Sequence, residues 1–511
     1  MSDWSEGYVA DIGYTYGYYL ELNPNRIPFA LFNHRLAHGE VATACELGFG
    51  QGVSTAVHAA ASNVQWYGND FNPAHAAFAQ ELARVSGSDA KLYDDAFVDF
   101  CQRSDLLDFD FIALHGIWSW ISDENRGVIV DFVRRKLKVG GVLYISYNTL
   151  PGWAAFVPMR HLLNEYVDYM AADGSGIVPK IDSALRFFES MLAVNPAYGR
   201  ANPLVKERFA SLKEGNRHYL AHEYFNRDWH PMHFRTLANW LKPAKLDFAC
   251  SAHFIDFIPS ANLQEEQKEL LKGISDPYFR ESVRDFIVNQ QFRRDYWIKG
   301  PRQLSPLQQL EALRQQPLVM IGLAQRFDLK VRGAAGEAKL SEEVYRPVID
   351  LLADHTVKTI GELEAALCPA VISVAQLIEV ITVLTGAGLI VSAQNETTVQ
   401  AVRQKTQRLN QHLMERARGD GALDVLSSPV TGGAVSVDRF SQLYLRALHA
   451  GYQTPEALAL EVWKDVAGQG LRLTKAGKPL ETAEENIAEL ATQAQVFLTD
   501  HLPRLLGLGI A

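Results

Sequence analysis

A glycine-rich turn between an apolar run and a helical run constrains the fold more than any other feature. Residues 46–52 read Glu-Leu-Gly-Phe-Gly-Gln-Gly; they follow the apolar run 44–47 and precede the helical pattern 54–60. Glycines at such a turn let the backbone approach a ligand where a side chain would collide with it. The dinucleotide fingerprint Gly-x-Gly-x-x-Gly would need a third glycine where Val53 stands. The turn therefore predicts a ligand-binding loop that departs from this fingerprint.

Short apolar runs alternate with amphipathic stretches over residues 41–147. The apolar runs end near residues 47, 67, 114 and 147, and helical patterns cover 73–85 and 125–137. Basic residues and then glycines end the second pattern, as is typical of a helix C-terminus. Strands that alternate with helices at this spacing form βαβ units around a parallel sheet. We therefore predict an α/β fold, a Rossmann-like doubly wound sheet, with a helical insertion and mostly α-helical C-terminal domains.

An acidic residue after the second apolar run indicates a nucleoside site. Asp70 lies 22 residues after Gly48, at the end of the run 64–69. A carboxylate there accepts hydrogen bonds from both ribose hydroxyls of a nucleoside that lies across the strand ends. The Gly-x-Gly-x-Gly spacing with this acid is typical of enzymes that bind S-adenosyl-L-methionine. Alternatively, the glycines are purely conformational and Asp70 caps the helix that begins at Pro73.

A third acidic element is expected in the next strand-to-helix loop, which reads Asp94-Asp95-Ala96-Phe97. One of the two carboxylates would accept a hydrogen bond from the adenine amino group, and Ala96 or Phe97 would line the ring. The alternative for Asp94 and Asp95 is a solvated loop.

The ends of two later apolar runs carry aromatic and polar residues. His115 and two tryptophans follow the fourth run, and Tyr147, Asn148 and Trp153 follow the fifth. Chemistry in an open parallel sheet occurs beyond these strand ends. Aromatic walls suit a sulfonium cation, and methyl transfer needs the nucleophile, methyl carbon and sulfur in line. We predict that His115, Tyr147, Asn148 and Trp153 are catalytic, with His115 or Tyr147 relaying the amine proton; structural packing is the alternative for the tryptophans and for His115.

The N-terminal segment 14–19, Tyr-Thr-Tyr-Gly-Tyr-Tyr, is too aromatic for an ordinary tail. We interpret it as a lid over the cofactor; a helix packed on the flank of the sheet is the alternative. The residues predicted to bind S-adenosyl-L-methionine are Tyr14, Tyr16, Tyr19, Glu46, Gly48, Phe49, Gly50, Gly52, Asp70, Phe71, Asp94, Asp95, Ala96 and His115.

The 511 residues are predicted to form four segments. Residues 1–155 are the S-adenosylmethionine-binding core, 156–302 a helical insertion with the strands that close the sheet, 303–400 a middle domain, and 401–511 a helical domain. Helices at 342–352, 360–367 and 374–384, followed by a hairpin in which 389–391 pairs beyond a turn at 394–397, indicate a winged helix. Its third helix has no basic residue, so we expect it to pack rather than to read DNA.

Composition excludes several functions. The net charge of −10, from 49 basic and 59 acidic residues, argues against nucleic-acid binding, which needs a basic surface.

The four cysteines form no Cys-x-x-Cys pair and fit a reducing interior. Four histidines between 218 and 233 lack the zincin pattern, so we expect no metal. The N-terminus does not resemble a signal peptide, and no apolar stretch reaches the roughly 20 residues of a membrane span; we expect a cytoplasmic protein without membrane insertion.

These motifs resemble those of a known family. The segment 46–52 with Asp70 resembles class I S-adenosylmethionine-dependent methyltransferases, and the stretch 219–231, with 246–248 and 289–297, is similar to the bacterial methyltransferase regulatory domain. The architecture resembles that of bacterial protein-lysine methyltransferases that act on outer-membrane proteins. The resemblance implies methyl transfer to lysine side chains of a protein, and it favours the lid interpretation, since the N-terminal aromatic segment of these relatives helps to hold the cofactor.

Other functions stay open at this point. A methyltransferase that acts on a small molecule or glycan would keep the same cofactor site, although the long helical remainder favours a large acceptor. A non-catalytic binding module predicts decay of the loop, yet Gly48, Gly50, Gly52 and Asp70 are intact. A nicotinamide oxidoreductase is disfavoured by Val53. The surplus helical surface would bind a protein substrate or form a homodimer.

Overall fold

A seven-stranded sheet forms the centre of the structure, a computed structural model that describes residues 16–172, 174 and 176–511. In chain order the strands are β1 Thr43–Leu47, β2 Gln65–Asn69, β3 Lys91–Tyr93, β4 Phe109–Leu114, β5 Leu137–Asn148, β6 Leu246–Ser251 and β7 Phe292–Lys299. Their order across the sheet is β3-β2-β1-β4-β5-β7-β6. Strands β1 to β5 are parallel, and β7 is antiparallel to both neighbours. The predicted doubly wound sheet is confirmed, and its order reverses between β1 and β4, where such folds bind ligands.

Five helices belong to the first part of this core: α1 Arg26–Asn33, α2 Val53–Ala61, α3 Pro73–Ser86, α4 Phe97–Gln102 and α5 Asp123–Lys136. Local sequence sets their ends. The Asn72 side chain caps α3 by accepting from the Ala74 amide at 3.0 Å, and Pro73 follows at the first helical position. Gly87, with φ of 73°, ends the same helix. Both helices predicted in this region are present within two residues of the expected bounds.

The predicted helical insertion lies between β5 and β6. It consists of α6 Val157–Tyr169, α7 Ile177–Ala193, α8 Ala197–Ala201, α9 Leu204–Lys213, α10 Arg217–Tyr224 and α11 Phe234–Leu241; α12 Pro259–Asn262, α13 Glu265–Lys272 and α14 Pro277–Val288 then precede β7. Trp153 and Phe188 are buried in the apolar core of the insertion. The Met232 amide donates to the Asn148 carbonyl at 3.1 Å, which fixes the insertion at the carboxyl end of β5.

The middle segment combines four helices with short strands. They are α15 Pro306–Arg314, β8 Pro317–Met320, β9 Lys330–Gly333, β10 Gly336–Lys339, α16 Glu342–Leu352, β11 Lys358–Thr359, α17 Ile360–Leu367, α18 Val374–Gly386 and β12 Ile390–Ser392. The three helices are where periodicity predicts them, but the expected hairpin is wrong. Strand β12 pairs antiparallel with the earlier β8, because Asn395 instead caps the next helix by accepting from the Thr398 amide. The winged helix stays a prediction.

The C-terminal segment is mostly helical, as expected, with two short hairpins in addition. Its elements are α19 Glu396–Arg416, β13 Val425–Ser428, β14 Gly433–Ser436, α20 Arg439–His449, α21 Pro455–Gly468, β15 Thr474–Lys475, β16 Lys478–Pro479, α22 Ala483–Val496 and α23 Leu502–Gly507. The turn between β13 and β14 contacts the N-terminal segment: the Asn23 side chain donates to the Thr431 carbonyl at 2.9 Å. His58 of α2 lies 3.2 Å from the Gly432 carbonyl. The C-terminal segment therefore contacts α2 and the residues that follow Tyr19.

No described helix has the length and apolar character that crossing a membrane requires.

Candidate active site

A cavity of about 490 Å³ opens at the carboxyl ends of β1, β2, β4 and β5, where the strand order reverses. Its volume lies within the usual range of ligand sites. The loops after these strands form one wall, and the helical insertion forms the opposite wall. The predicted site residues that line the cavity are Tyr19, Glu46, Gly48, Phe49, Gly50, Asp70, Phe71, Ala96, His115, Asn148 and Trp153.

The glycine-rich turn has three left-handed residues, with φ values of 69° at Gly48, 57° at Gly50 and 68° at Gly52. Gly48 and Gly50 line the cavity, so their backbone is exposed to a ligand. Gly52 has a packing role, because a Cβ there would lie 2.4 Å from the Cβ of Ala79 on α3. Gly48 and Gly50 therefore face the cavity and Gly52 meets a packing constraint, whereas ligand binding by the turn stays a prediction.

Asp70 connects this turn to the start of α3. Its carboxylate accepts from the Gly50 amide at 2.9 Å and from the Asn72 amide at 3.0 Å, and it lies 3.1 Å from Nδ1 of His75. Asn72, rather than Asp70, caps the helix. Asp70 thus remains at the cavity wall as an oriented carboxylate, the group that binds ribose hydroxyls in this position of a Rossmann-like fold.

Two further polar residues, Glu46 and Asn69, line the cavity near the glycine-rich turn. Glu46 is buried, and it accepts a hydrogen bond from the Thr55 hydroxyl. Burial raises the pKa of Glu46 to about 8, so most molecules hold it as a neutral acid at pH 7. Asn69 lines the cavity as well, and its buried Oδ1 accepts no hydrogen bond from the described residues. A buried acceptor of this kind is satisfied by a ligand or water.

The acidic pair after β3 does not reach the cavity. Asp94 is exposed, and the Asp95 carboxylate accepts from Arg103 at 2.9 Å. Ala96 and Phe97 do line the cavity. Of the predicted adenine contacts, the structure therefore brings together the two apolar ones and leaves the two carboxylates outside.

His115 and Tyr19 form a stacked pair at the cavity wall, with ring centroids 3.6 Å apart. Nδ1 of His115 lies 2.9 Å from the Tyr144 hydroxyl. Burial lowers the pKa of His115 to about 4, so the imidazole is neutral at physiological pH. Tyr19 thus stacks on His115 at the cavity wall, and its role as a lid residue stays a prediction. Tyr16 lies elsewhere, against Phe78 and the Arg416 guanidinium, and Tyr14 falls outside the described residues.

Tyr147 lies in the core, contrary to the prediction from its position after the fifth run. Its hydroxyl donates to Asp295 at 3.1 Å, and burial raises its pKa well above the ordinary value. Successive residues of a strand face opposite sides of the sheet. Asn148 therefore lines the cavity, whereas Tyr147 is directed into the apolar core. A proton relay through this tyrosine does not fit the structure.

The insertion supplies the residues that sequence reasoning missed. Trp120, one of the two tryptophans noted after the fourth apolar run, lines the cavity from the loop after β4, whereas α9, α10 and the residues that follow α10 contribute polar and charged groups. No sequence spacing indicates the insertion residues, because only the folding of the insertion over the sheet brings them to the strand ends. The only signal was the polar and aromatic stretch 219–231. The main additional residues are Arg208, Tyr219, His222, Glu223, Asn226 and Asp228.

Within the described part of the chain, no group of three or more histidine, cysteine, aspartate or glutamate side chains could hold a metal ion.

Comparisons with known proteins relate the whole chain to others. A family model described as a predicted methyltransferase regulatory domain matches residues 216–299, which include α10 of the cavity wall. The protein sll1526 of a Synechocystis species is 39% identical over 513 residues, or 99% of this chain and 100% of that protein. The protein RP789 of Rickettsia prowazekii is 27% identical over 201 residues, or 38% of this chain and 35% of that protein.

Two solved structures of PKMT2 from Rickettsia typhi have the same fold. One is 14% identical, covers 98% of this chain and 99% of its own, and superimposes with a TM-score of 0.67. The other, in complex with AdoHcy, covers 98% of this chain and 100% of its own, with 14% identity and a TM-score of 0.68. The likeness of fold extends over the C-terminal half as well as the sheet.

Proposed function

We propose that this chain, which belongs to the family of class I S-adenosyl-L-methionine-dependent methyltransferases with a methyltransferase regulatory domain, methylates lysine side chains of a protein substrate. The proposal rests on one cavity that is lined by two kinds of groups. Gly48, Gly50 and Asp70 are groups of a nucleoside-type site, and Trp120 and Trp153 are aromatic groups that line the same cavity.

The residues at the nucleoside end fit the cofactor. Asp70 would accept hydrogen bonds from the ribose hydroxyls, and the unsatisfied Oδ1 of Asn69 supplies a further acceptor. Ala96 and Phe97 would line the adenine ring. S-adenosyl-L-methionine supplies an electrophilic methyl group on a sulfonium. A cation of this kind suits a cavity lined by aromatic side chains.

Three observations support a lysine acceptor. The aromatic end of the cavity suits an alkylammonium group. Its wall includes the carboxylates of Glu223 and Asp228, which attract a cationic side chain. The sequence resembles bacterial protein-lysine methyltransferases, and the neighbour that shares the fold over nearly the whole chain is named PKMT2.

A labelling experiment tests this proposal. The purified protein, with S-adenosyl-L-methionine tritiated in the methyl group, is incubated with a lysate that is separated into protein and small-molecule fractions. We expect label in protein that releases methyllysine on acid hydrolysis, and no label above background with Asp70→Ala. Label confined to small molecules would contradict the lysine proposal and favour a small-molecule or glycan acceptor. Donor binding without any transfer would indicate a non-catalytic module.

A further inference from the structure

The insertion side of the cavity contains a carboxylate without an ion pair. Glu223 lies on α10, is half-buried and lines the cavity. No arginine, lysine or histidine of residues 16–172, 174 and 176–511 forms a salt bridge with it within 4.0 Å. Asp228, the other carboxylate on this side, pairs with Arg227 at 3.3 Å and lies 3.5 Å from His230. A partly buried carboxylate that forms no ion pair is costly to ionise, and a cationic ligand would lower that cost.

Two guanidinium groups face Glu223, and both have other partners. Arg160 donates to the Asn226 carbonyl at 2.6 Å and lies 4.7 Å from the Trp229 ring centroid. Arg208 donates to the Tyr224 hydroxyl at 3.0 Å and lies 4.8 Å from the Trp153 ring centroid. The remaining titratable groups on this side are Tyr219, Tyr224, His222 and Asp228. The arginines are thus held against aromatic rings, and they attract the Glu223 carboxylate without forming an ion pair with it within 4.0 Å.

The Glu223 carboxylate is suited to act as a general base. Free lysine has a pKa of about 10.4, so an acceptor lysine arrives as an ammonium ion and must lose a proton before it attacks. Burial raises the pKa of Glu223 to about 7, against the opposing effect of Arg160 and Arg208. A general base works best when its pKa lies near the operating pH. Glu223 therefore has both the position and the basicity to serve a bound amine.

We propose that the Glu223 carboxylate binds the ammonium group of the acceptor lysine and accepts its proton; this inference rests on the proposed lysine methylation. One N–H bond of the ammonium breaks, and the proton passes to a carboxylate oxygen. The lone pair left on nitrogen forms the bond to the methyl carbon as the carbon–sulfur bond breaks, and that electron pair stays on sulfur. The carboxylic acid of Glu223 then releases its proton to water.

The pH dependence of methyl transfer tests the role of Glu223. The probe is total protein from a heat-denatured lysate, and the rate at subsaturating protein, which follows kcat/KM, is measured as methyllysine formed. We expect the wild-type rate to rise up to about pH 7, where Glu223 ionises, and then to stay level to about pH 9. Glu223→Gln should lower the rate at pH 7.5 by about 100-fold. Its remaining rate should rise tenfold per pH unit to about pH 10, because only lysine that is already neutral then reacts.

A matched control and a binding measurement separate the outcomes. Glu207→Gln, on the exposed face of α9, should keep the wild-type profile. Calorimetry with S-adenosylhomocysteine should give wild-type affinity for both variants. A wild-type pH profile in Glu223→Gln would overturn this inference and leave lysine methylation intact. Lost S-adenosylhomocysteine binding in that variant would overturn it too, by assigning Glu223 to the cofactor. Absence of methyllysine with the wild type would overturn the proposed function itself, and the inference with it.

Discussion

Replacing Asp70 with alanine is expected to weaken S-adenosylhomocysteine binding by about 100- to 1,000-fold. Hydrogen bonds to a charged acceptor each contribute roughly 1.5–3 kcal/mol, and 1.4 kcal/mol corresponds to a factor of ten in affinity. In the proposed cofactor site, the variant would lack the acceptor for two ribose hydroxyls. It also leaves the Gly50 amide, which donates to Asp70 at 2.9 Å, without this partner. Isothermal titration calorimetry measures the change directly.

Asp94→Asn is the matched control for Asp70→Ala. Asp94 is an acidic residue of the neighbouring strand-to-helix loop, but its side chain is exposed and lies outside the cavity wall. We expect its affinity for S-adenosylhomocysteine to stay within about threefold of the wild type, since a solvated charge contributes little. Equal losses in the two variants, at unchanged thermal stability, would contradict the assignment of Asp70 as the ribose-binding carboxylate.

Replacing Arg293 with methionine is expected to destabilise the fold by about 3–5 kcal/mol. The buried guanidinium on β7 pairs with Asp285 at 2.7 Å, Asp295 at 2.9 Å and Glu281 at 2.9 Å. Burial already raises the pKa of Asp285 to about 6, and without the cation the carboxylates ionise at a further cost. The measurement is the thermal unfolding midpoint, which should fall by roughly 3–5 °C in a chain of this length.

The pH dependence of the change in unfolding midpoint shows whether the carboxylates around Arg293 cause it. Carboxylates whose pKa is raised in the folded state stabilise it at low pH and lose this contribution as the pH rises. The difference in thermal unfolding midpoint between the wild type and Arg293→Met should therefore be small near pH 5 and grow toward pH 8. Arg134→Met removes an exposed pair with Asp131 and should cost less than about 1 kcal/mol. If Arg293→Met lost no more stability than this control, the result would contradict a stabilising role for the buried Arg293 ion pairs.

The sheet and its ligand-binding turn could be predicted because local chemistry determines them. Alternating apolar runs gave the parallel strands, and helix α3 was predicted within one residue because Asn72, Pro73 and Gly87 mark its ends. The glycine-rich turn could also be predicted from local sequence, because the spacing of Gly48 and Gly50 after a strand indicates a ligand-facing turn. Short-range patterns suffice wherever the determining contacts lie within one βα unit.

The rest of the site depends on contacts between distant parts of the chain. Tyr147 and Asn148 are neighbours in sequence but face opposite sides of β5, and which of them meets the cavity depends on where the insertion covers the sheet. Glu223 becomes a cavity residue only because the insertion folds back over the strand ends. Strand β12 pairs with β8, about 70 residues earlier, so that no local turn signal could reveal its partner.

Separate calorimetric titrations of the wild-type protein with S-adenosyl-L-methionine and with NADH test whether the cavity between the glycine-rich turn and the helical insertion is a site for the methyl donor. We expect saturable, one-to-one binding of S-adenosyl-L-methionine and no measurable heat with NADH. Tight binding of NADH without binding of S-adenosyl-L-methionine would contradict this assignment.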